Sequence, residues 1–204
     1  MKRNQKIKII GIAGKTGCGK STVADYLADK LKPAIKIDVD MIAKEIYEEK
    51  KDVADKLAAC FGQEIINPEG SIDFSYLGTK VFSDYGEMKK LNNLMFPLIY
   101  DKVERLIRQN SDKKFIIIDA AVLFDAGLDN LCDKIIWVKA DSGKQESILK
   151  CKNINLAAAD IRQRIKNQKI KIIRNKVDFI IVNNSTLKDL YKSINNIIIK
   201  LQTA

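Results

Sequence analysis

The chemistry of this sequence starts at Gly14-Lys15-Thr16-Gly17-Cys18-Gly19-Lys20-Ser21, which fits G-x-x-x-x-G-K-[ST] without a mismatch and is followed by Thr22. The spacing suits one task. Glycines let a loop bend until successive backbone N–H groups face phosphate oxygens, and the helix that follows aims its positive end at the same anion. Lys20 is then placed to reach the β- and γ-phosphates, and the Ser21 hydroxyl to ligate Mg²⁺. An apolar run precedes the motif and a periodic helix follows it, which sets aside an accidental Gly-rich turn. These residues predict binding of a nucleoside triphosphate.

Phosphoryl transfer needs a carboxylate as well. Asp38 and Asp40 stand where a short strand is expected to end, and ligands of parallel α/β sheets gather at such carboxyl ends. A carboxylate there can accept the proton of an attacking hydroxyl. Asp40 is read as that base and Asp38 as a cap or metal-side group, although spacing leaves the division open and Asp40 could instead cap a helix. Asp119, ending the run Ile116-Ile117-Ile118-Asp119, suits a Walker-B-like hold on the Mg²⁺ shell, or is an ordinary strand-end acid. Asn175-Lys176-Val177-Asp178 matches a GTPase base-reading string, but it lies before a strand and not after one, so we read it as coincidence.

Composition excludes other chemistries. The chain has 204 residues and no histidine, so neither a Ser-His-Asp or Cys-His pair nor a histidine-ligated metal exists in it. It carries 36 Lys+Arg against 26 Asp+Glu, a formal charge of +10. Nucleic acid, a polyphosphate substrate or a merely solvated surface would each suit that charge. RRM, KH, zinc-finger and homeodomain signatures are absent, and nucleic acid is not expected. The four cysteines form no C-x-x-C pair and are read as free thiols in a reducing compartment. No apolar run is long enough for a membrane span or a secretory signal, so a cytoplasmic protein is expected.

The elements that must position these residues follow from pattern. Short β-branched runs predict strands at Ile7–Ala13, Ala34–Asp38, Lys114–Ala120, Lys134–Val138 and Phe179–Val182. Val23, Leu27 and Leu31, four apart, mark the apolar face of a helix after the Gly-rich loop. From Asp40 to about Arg108 the pattern is helical, broken at Phe61-Gly62, Asn67–Gly70 and Pro97, and further helices are expected at Ser142–Gln168 and Leu187–Leu201. Strands apolar on both faces and separated by helices predict an α/β fold, a doubly wound parallel sheet of about five strands with an inserted helical lobe and a short lid. One domain is expected over residues 1–204. Its nucleotide-binding core would comprise about 1–40, 112–140 and 177–204, its acceptor lobe about 41–111 and its lid about 141–170.

From about Lys8 to Leu201 the sequence resembles the dephospho-CoA kinase family. Gly11–Val23 is similar to its phosphate loop, and Ile37–Ala43 to its I-D-A-D-x-I-A segment. Phe61-Gly62 with Asn67–Asp73, then Leu77–Phe82, Asp119–Gly127, Arg164–Gln168 and Asp178–Asn183, follow its later motifs in order. The resemblance implies ATP-dependent phosphorylation of the ribose 3′-hydroxyl of dephospho-coenzyme A. It implies ATP contacts from Gly17, Cys18, Gly19, Lys20, Ser21, Thr22, Lys152 and Asn183, catalysis by Lys20 and Asp40, and Mg²⁺ at Ser21 and Asp119.

The sequence departs from that family on the acceptor and lid side. Phe96-Pro97 stands for His-Pro, Phe74 for a frequent Arg, Asp119-Ala120-Ala121 for D-x-P, and Ile148 and Lys152 for two lid arginines. Two other readings therefore stay open: a P-loop kinase for another small hydroxyl acceptor such as a nucleoside or nucleotide, and a non-catalytic ATP-binding regulator. The basic run Arg162–Lys176 is the feature that suits the regulator.

Overall fold

The computed structural model describes residues 7–49, 51–152, 161–162, 165 and 172–203. Five strands form the sheet: β1 (Lys8–Gly14), β2 (Ala34–Asp38), β3 (Phe115–Asp119), β4 (Lys134–Lys139) and β5 (Phe179–Val182). All neighbours are parallel, in the order β2-β3-β1-β4-β5. Parallel pairing puts every carboxyl end on one edge, where Gly14, Asp38 and Asp119 end their strands. The register fixes them further, with Asp38 directly opposite Asp119 and Gly14 opposite Val138.

Around the sheet run α1 (Lys20–Lys30), α6 (Ser142–Lys152) and α7 (Leu187–Thr203). The Val23, Leu27 and Leu31 face of α1 is buried, as its spacing predicts, and packs with Ile10, Ile12, Ile117 and Ile136 of the sheet and Ile194 of α7. Truncating one such leucine to Ala removes both transfer energy and packing, typically about 2–5 kcal/mol. Among the described residues no helix is long and apolar enough to cross a membrane.

The chain divides into two compact units, Met1–Asp38 with Leu106–Ala204, and Val39–Arg105. The second is helical, with α2 (Val39–Glu49), α3 (Lys51–Phe61), α4 (Phe74–Ser83) and most of α5 (Tyr85–Gln109). Asp73 starts α4 by accepting hydrogen bonds from the Ser75 and Tyr76 amides at 2.9 and 3.0 Å, the usual service of an N-cap acid. Lys80 donates to the Phe61 carbonyl at 2.5 Å, satisfying the end of α3.

One expectation fails here. Pro97 does not break the helix but sits inside the 25-residue α5. Proline costs a helix one amide donor and crowds the preceding turn. The buried Met95, Ile99 and Val103 on either side of it fix both halves of α5 to the apolar interior, and this offsets the loss. The Ser142–Gln168 helix is described only in part: α6 ends at Lys152, and residues 153–160 lie outside the described residues.

Candidate functional site

The phosphate loop joins β1 to α1 and has little freedom. Gly17 and Gly19 have φ of 70° and 92°, in the left-handed region that disfavours side chains. Space forbids a side chain too. A Cβ on Gly19 would lie 2.5 Å from Asn183 Nδ2, and one on Gly17 would lie 2.8 Å from the Gln145 carbonyl oxygen. The backbone is thus pressed against β5 and α6.

Polar contacts hold it there. Asn183, 5% exposed at the end of β5, donates from Nδ2 to the Cys18 carbonyl at 3.0 Å. The Cys18 amide donates to the Lys15 carbonyl at 3.3 Å, and Lys20 Nζ crosses the loop to the same oxygen at 3.1 Å. Burial pushes the Cys18 thiol up, so it stays protonated and apolar beneath the loop. No side chain caps α1 at Gly19, and no acid stands in its first turn. Such an end leaves N–H donors and a positive dipole for an anion.

Asp119 is buried, 5% exposed, and accepts a hydrogen bond from the Ser21 hydroxyl. Burial raises its carboxyl above the ordinary value, Ser21 and Lys20 pull it back, and Asp38 adds a further upward push. A divalent cation relieves exactly this kind of environment, because it favours the ionised carboxylate. Mg²⁺ typically takes one hydroxyl or carboxylate pair from protein and the rest from phosphates and water. Ser21 with Asp119 fits that donor set. Lys36 sits close by, 2.5 Å from Asp25 and 3.9 Å from Asp38. Nothing in the local sequence pattern marks it.

Asp40 lies in the other unit. Helix α2 begins at Val39, so Asp40 is in the first turn and not at the cap, which corrects the capping alternative. An acid there also complements the helix dipole. It is exposed, two residues along the chain from Asp38.

On the lid side, α6 places the buried Gln145 and Leu149 against Gly17, and Gln145 Nε2 donates to the Ala140 carbonyl at 3.1 Å. The backbone oxygen of Gln145 is what leaves no room for a side chain at Gly17. Ile148 is half-buried, while Lys150 is exposed and paired with Glu146 at 2.8 Å. Lys152 closes α6, but its side chain lies outside the described residues, as do Arg164 and most of the basic run around it. The Asn175–Asp178 string is occupied otherwise. Asp178 accepts from the Ile135 amide at 2.8 Å and pairs with Lys134 at 2.7 Å, at the amino end of β4.

The family model described as CoaE, dephospho-CoA kinase, matches residues 8–189. A dephospho-CoA kinase of Fusobacterium nucleatum is 38% identical over 193 residues, covering 92% of this chain and 95% of its own. Among solved structures, TT1252 from Thermus thermophilus has a TM-score of 0.73 at 23% identity and covers 96% of this chain and 98% of its own. Dephospho-CoA kinase from Campylobacter jejuni has a TM-score of 0.64 at 24% identity, with 95% and 96% covered. At those identities the structures speak for the fold. The sequence matches reach further: by a family model spanning most of its length and a relative more than a third identical, this chain belongs to the dephospho-CoA kinase family.

Proposed function

We propose that this chain transfers the γ-phosphate of ATP to the ribose 3′-hydroxyl of dephospho-CoA, giving CoA and ADP. The likeness to dephospho-CoA kinases carries this choice of acceptor, because it runs through residues 8–189 and so takes in the helical unit as well as the phosphate loop.

The residues divide the work. The loop amides from Gly17 to Thr22 and the Lys20 ammonium bind the β- and γ-phosphates. Lys20 exchanges its contact with the Lys15 carbonyl for phosphate oxygens, where its charge counts most as the bond to the leaving ADP breaks. Ser21 and Asp119 hold Mg²⁺, which when bound draws charge from the phosphate oxygens. Asn183 keeps the loop in shape through the Cys18 carbonyl. Asp40 accepts the 3′-hydroxyl proton as the oxygen–phosphorus bond forms. Lys152 contributes charge from the lid side.

An ADP-release assay across a panel of acceptors tests the reading. Release that depends on dephospho-CoA, and is weak with nucleosides, is expected. Robust release with a nucleoside and none with dephospho-CoA would move the chain to another acceptor. No release with any acceptor would make it a nucleotide-binding regulator.

A further inference from the structure

Strand β2 places a charge inside the sheet face that α1 covers. Side chains two apart on a strand share a face, so Ala34, Lys36 and Asp38 stand together, opposite Phe115, Ile117 and Asp119 of β3 in the register. Phe115 and Ile117 are buried with Val23 and Leu27 of α1, and Ala34 packs against the same cluster. Lys36 lies directly opposite Ile117, a position that suits an apolar side chain, and its own side chain is only 25% exposed. Its ammonium reaches Asp25 of α1 at 2.5 Å and Asp38 at 3.9 Å.

The acids around this ammonium are not equivalent. The Asp25 side chain is 62% exposed, so water and salt screen its charge, and it acts chiefly as a tether that holds the ammonium against β2. Asp38 and Asp119 stand side by side at the carboxyl end of the sheet. Beyond burial, which dominates, Asp38 pushes the Asp119 carboxyl up, while Lys20 and Lys36 pull it down. Burial disfavours the Lys36 ammonium, yet Asp25, Asp38 and Asp119 outweigh it and hold the group above its ordinary value. On the proposed function Lys20 leaves for the phosphates when ATP enters. Lys36, tethered from α1, remains with the acids.

A pair of adjacent carboxylates beside a hydroxyl would draw a divalent cation from solution even with no nucleotide bound. We propose that Lys36 is a positioning residue that stands in for that cation: acting through Asp38 and Asp119, it keeps bare Mg²⁺ weakly held in the nucleotide-free chain, so that tight binding of the ion needs the triphosphate. The inference rests on the Mg²⁺ site assigned to Ser21 and Asp119 under the proposed function, and it adds an order of filling to that site. Mg²⁺ is usually held by one or two carboxylates together with substrate phosphates. With an ammonium offsetting the acidic pair, the donors of the protein are too weak a set by themselves, and the β- and γ-phosphate oxygens complete it. The identity of the acceptor does not enter.

Titration of the nucleotide-free chain with MnCl₂ alone, read from the loss of the free ion's EPR signal, tests this without any turnover. Mn²⁺ takes the same kind of oxygen donors as Mg²⁺. Lys36→Met, which keeps the length of the stem, should tighten Mn²⁺ by about 10- to 100-fold, the range over which groups behind the ligands typically move metal affinity. Lys36→Gln should show the same gain, and Lys36→Arg should bind like wild type. A gain is the informative direction, because a fold damaged by substitution loses affinity. Adding Asp119→Asn to Lys36→Met should remove the gain. Lys36→Met and Lys36→Gln binding Mn²⁺ no more tightly than wild type would overturn the proposal while leaving the metal assignment intact. So would a gain that survives Asp119→Asn, which would put the cation at another site. Equal ATP affinity of the wild type with and without Mg²⁺ would remove the metal from Ser21 and Asp119, and would overturn the assignment beneath the proposal as well.

Discussion

The phosphate loop and the α2–α4 surface are built on opposite terms. Around the loop the contacts are filled from within: Asn183 on Cys18, Lys20 on Lys15 and Ser21 on Asp119, with no room for a side chain at Gly17 or Gly19. In the helical unit, Met41, Phe74, Tyr76 and Tyr85 stand open to water. The difference separates what a kinase can prebuild from what its acceptor must complete. Triphosphate chemistry is the same in every turnover and gains from donors fixed beforehand. On the proposed function the acceptor would complete the exposed surface of the helical unit, where Phe74, a departure from the family pattern, is 52% exposed.

Breaking each side should have a different signature. Asp40→Asn is expected to give the largest effect, a turnover loss of about 10²–10⁴-fold with ATP affinity kept, because a base acts only in the chemical step. Steady-state kinetics beside nucleotide titration check it, and collapse of ATP affinity with turnover preserved would make Asp40 a structural acid. Lys20→Ala should follow at about 10²–10³-fold, with the circular dichroism spectrum unchanged. Turnover within tenfold of wild type, under ~1.4 kcal/mol on the barrier, would remove Lys20 from the transition state.

Asp119→Asn sharpens the contrast through stability. Burial raises the Asp119 carboxyl from its ordinary 3.8, so between the unfolded and native values the native state binds more proton there than the unfolded chain does. That contribution is present in full at acid pH and is lost as pH rises through the native value. At pH 7 the ionised carboxylate is therefore a burden, and Asn, which can still accept from Ser21, should melt higher than wild type. The gain should vanish below about pH 4, while activity falls and added Mg²⁺ no longer raises the melting point. A lower midpoint at pH 7 would show that Asp119 holds the fold and not a cation. On the lid, Ile148→Arg should raise turnover severalfold by offering a bidentate fork to phosphate oxygens. Unchanged kinetics there would remove position 148 from the site.

Much of the loop half was legible from local pattern. The runs Ala34–Asp38 and Phe179–Val182 match the observed strands residue for residue, and the spacing of Val23, Leu27 and Leu31 gave the buried face of α1. Strand order was not legible, since strands buried on both faces carry no mark of their neighbours. The Ser21–Asp119 contact joins residues nearly a hundred positions apart and follows from register alone. The place of Lys36 beside Asp25 and Asp38 is hidden for the same reason: a polar side chain discloses its partner only once the sheet has assembled. Pro97 misled because the breaking rule is local, whereas the buried residues of α5 on both sides decided the outcome.

The proposed activity is defined by which oxygen of which acceptor receives the phosphate. Phosphorus NMR of the product made from ATP and dephospho-CoA by the wild-type chain reads this directly. The prediction is a new phosphomonoester on the ribose 3′-oxygen, growing in step with ADP and missing in Lys20→Ala. ADP accompanied by free inorganic phosphate, with the acceptor unchanged, would contradict it.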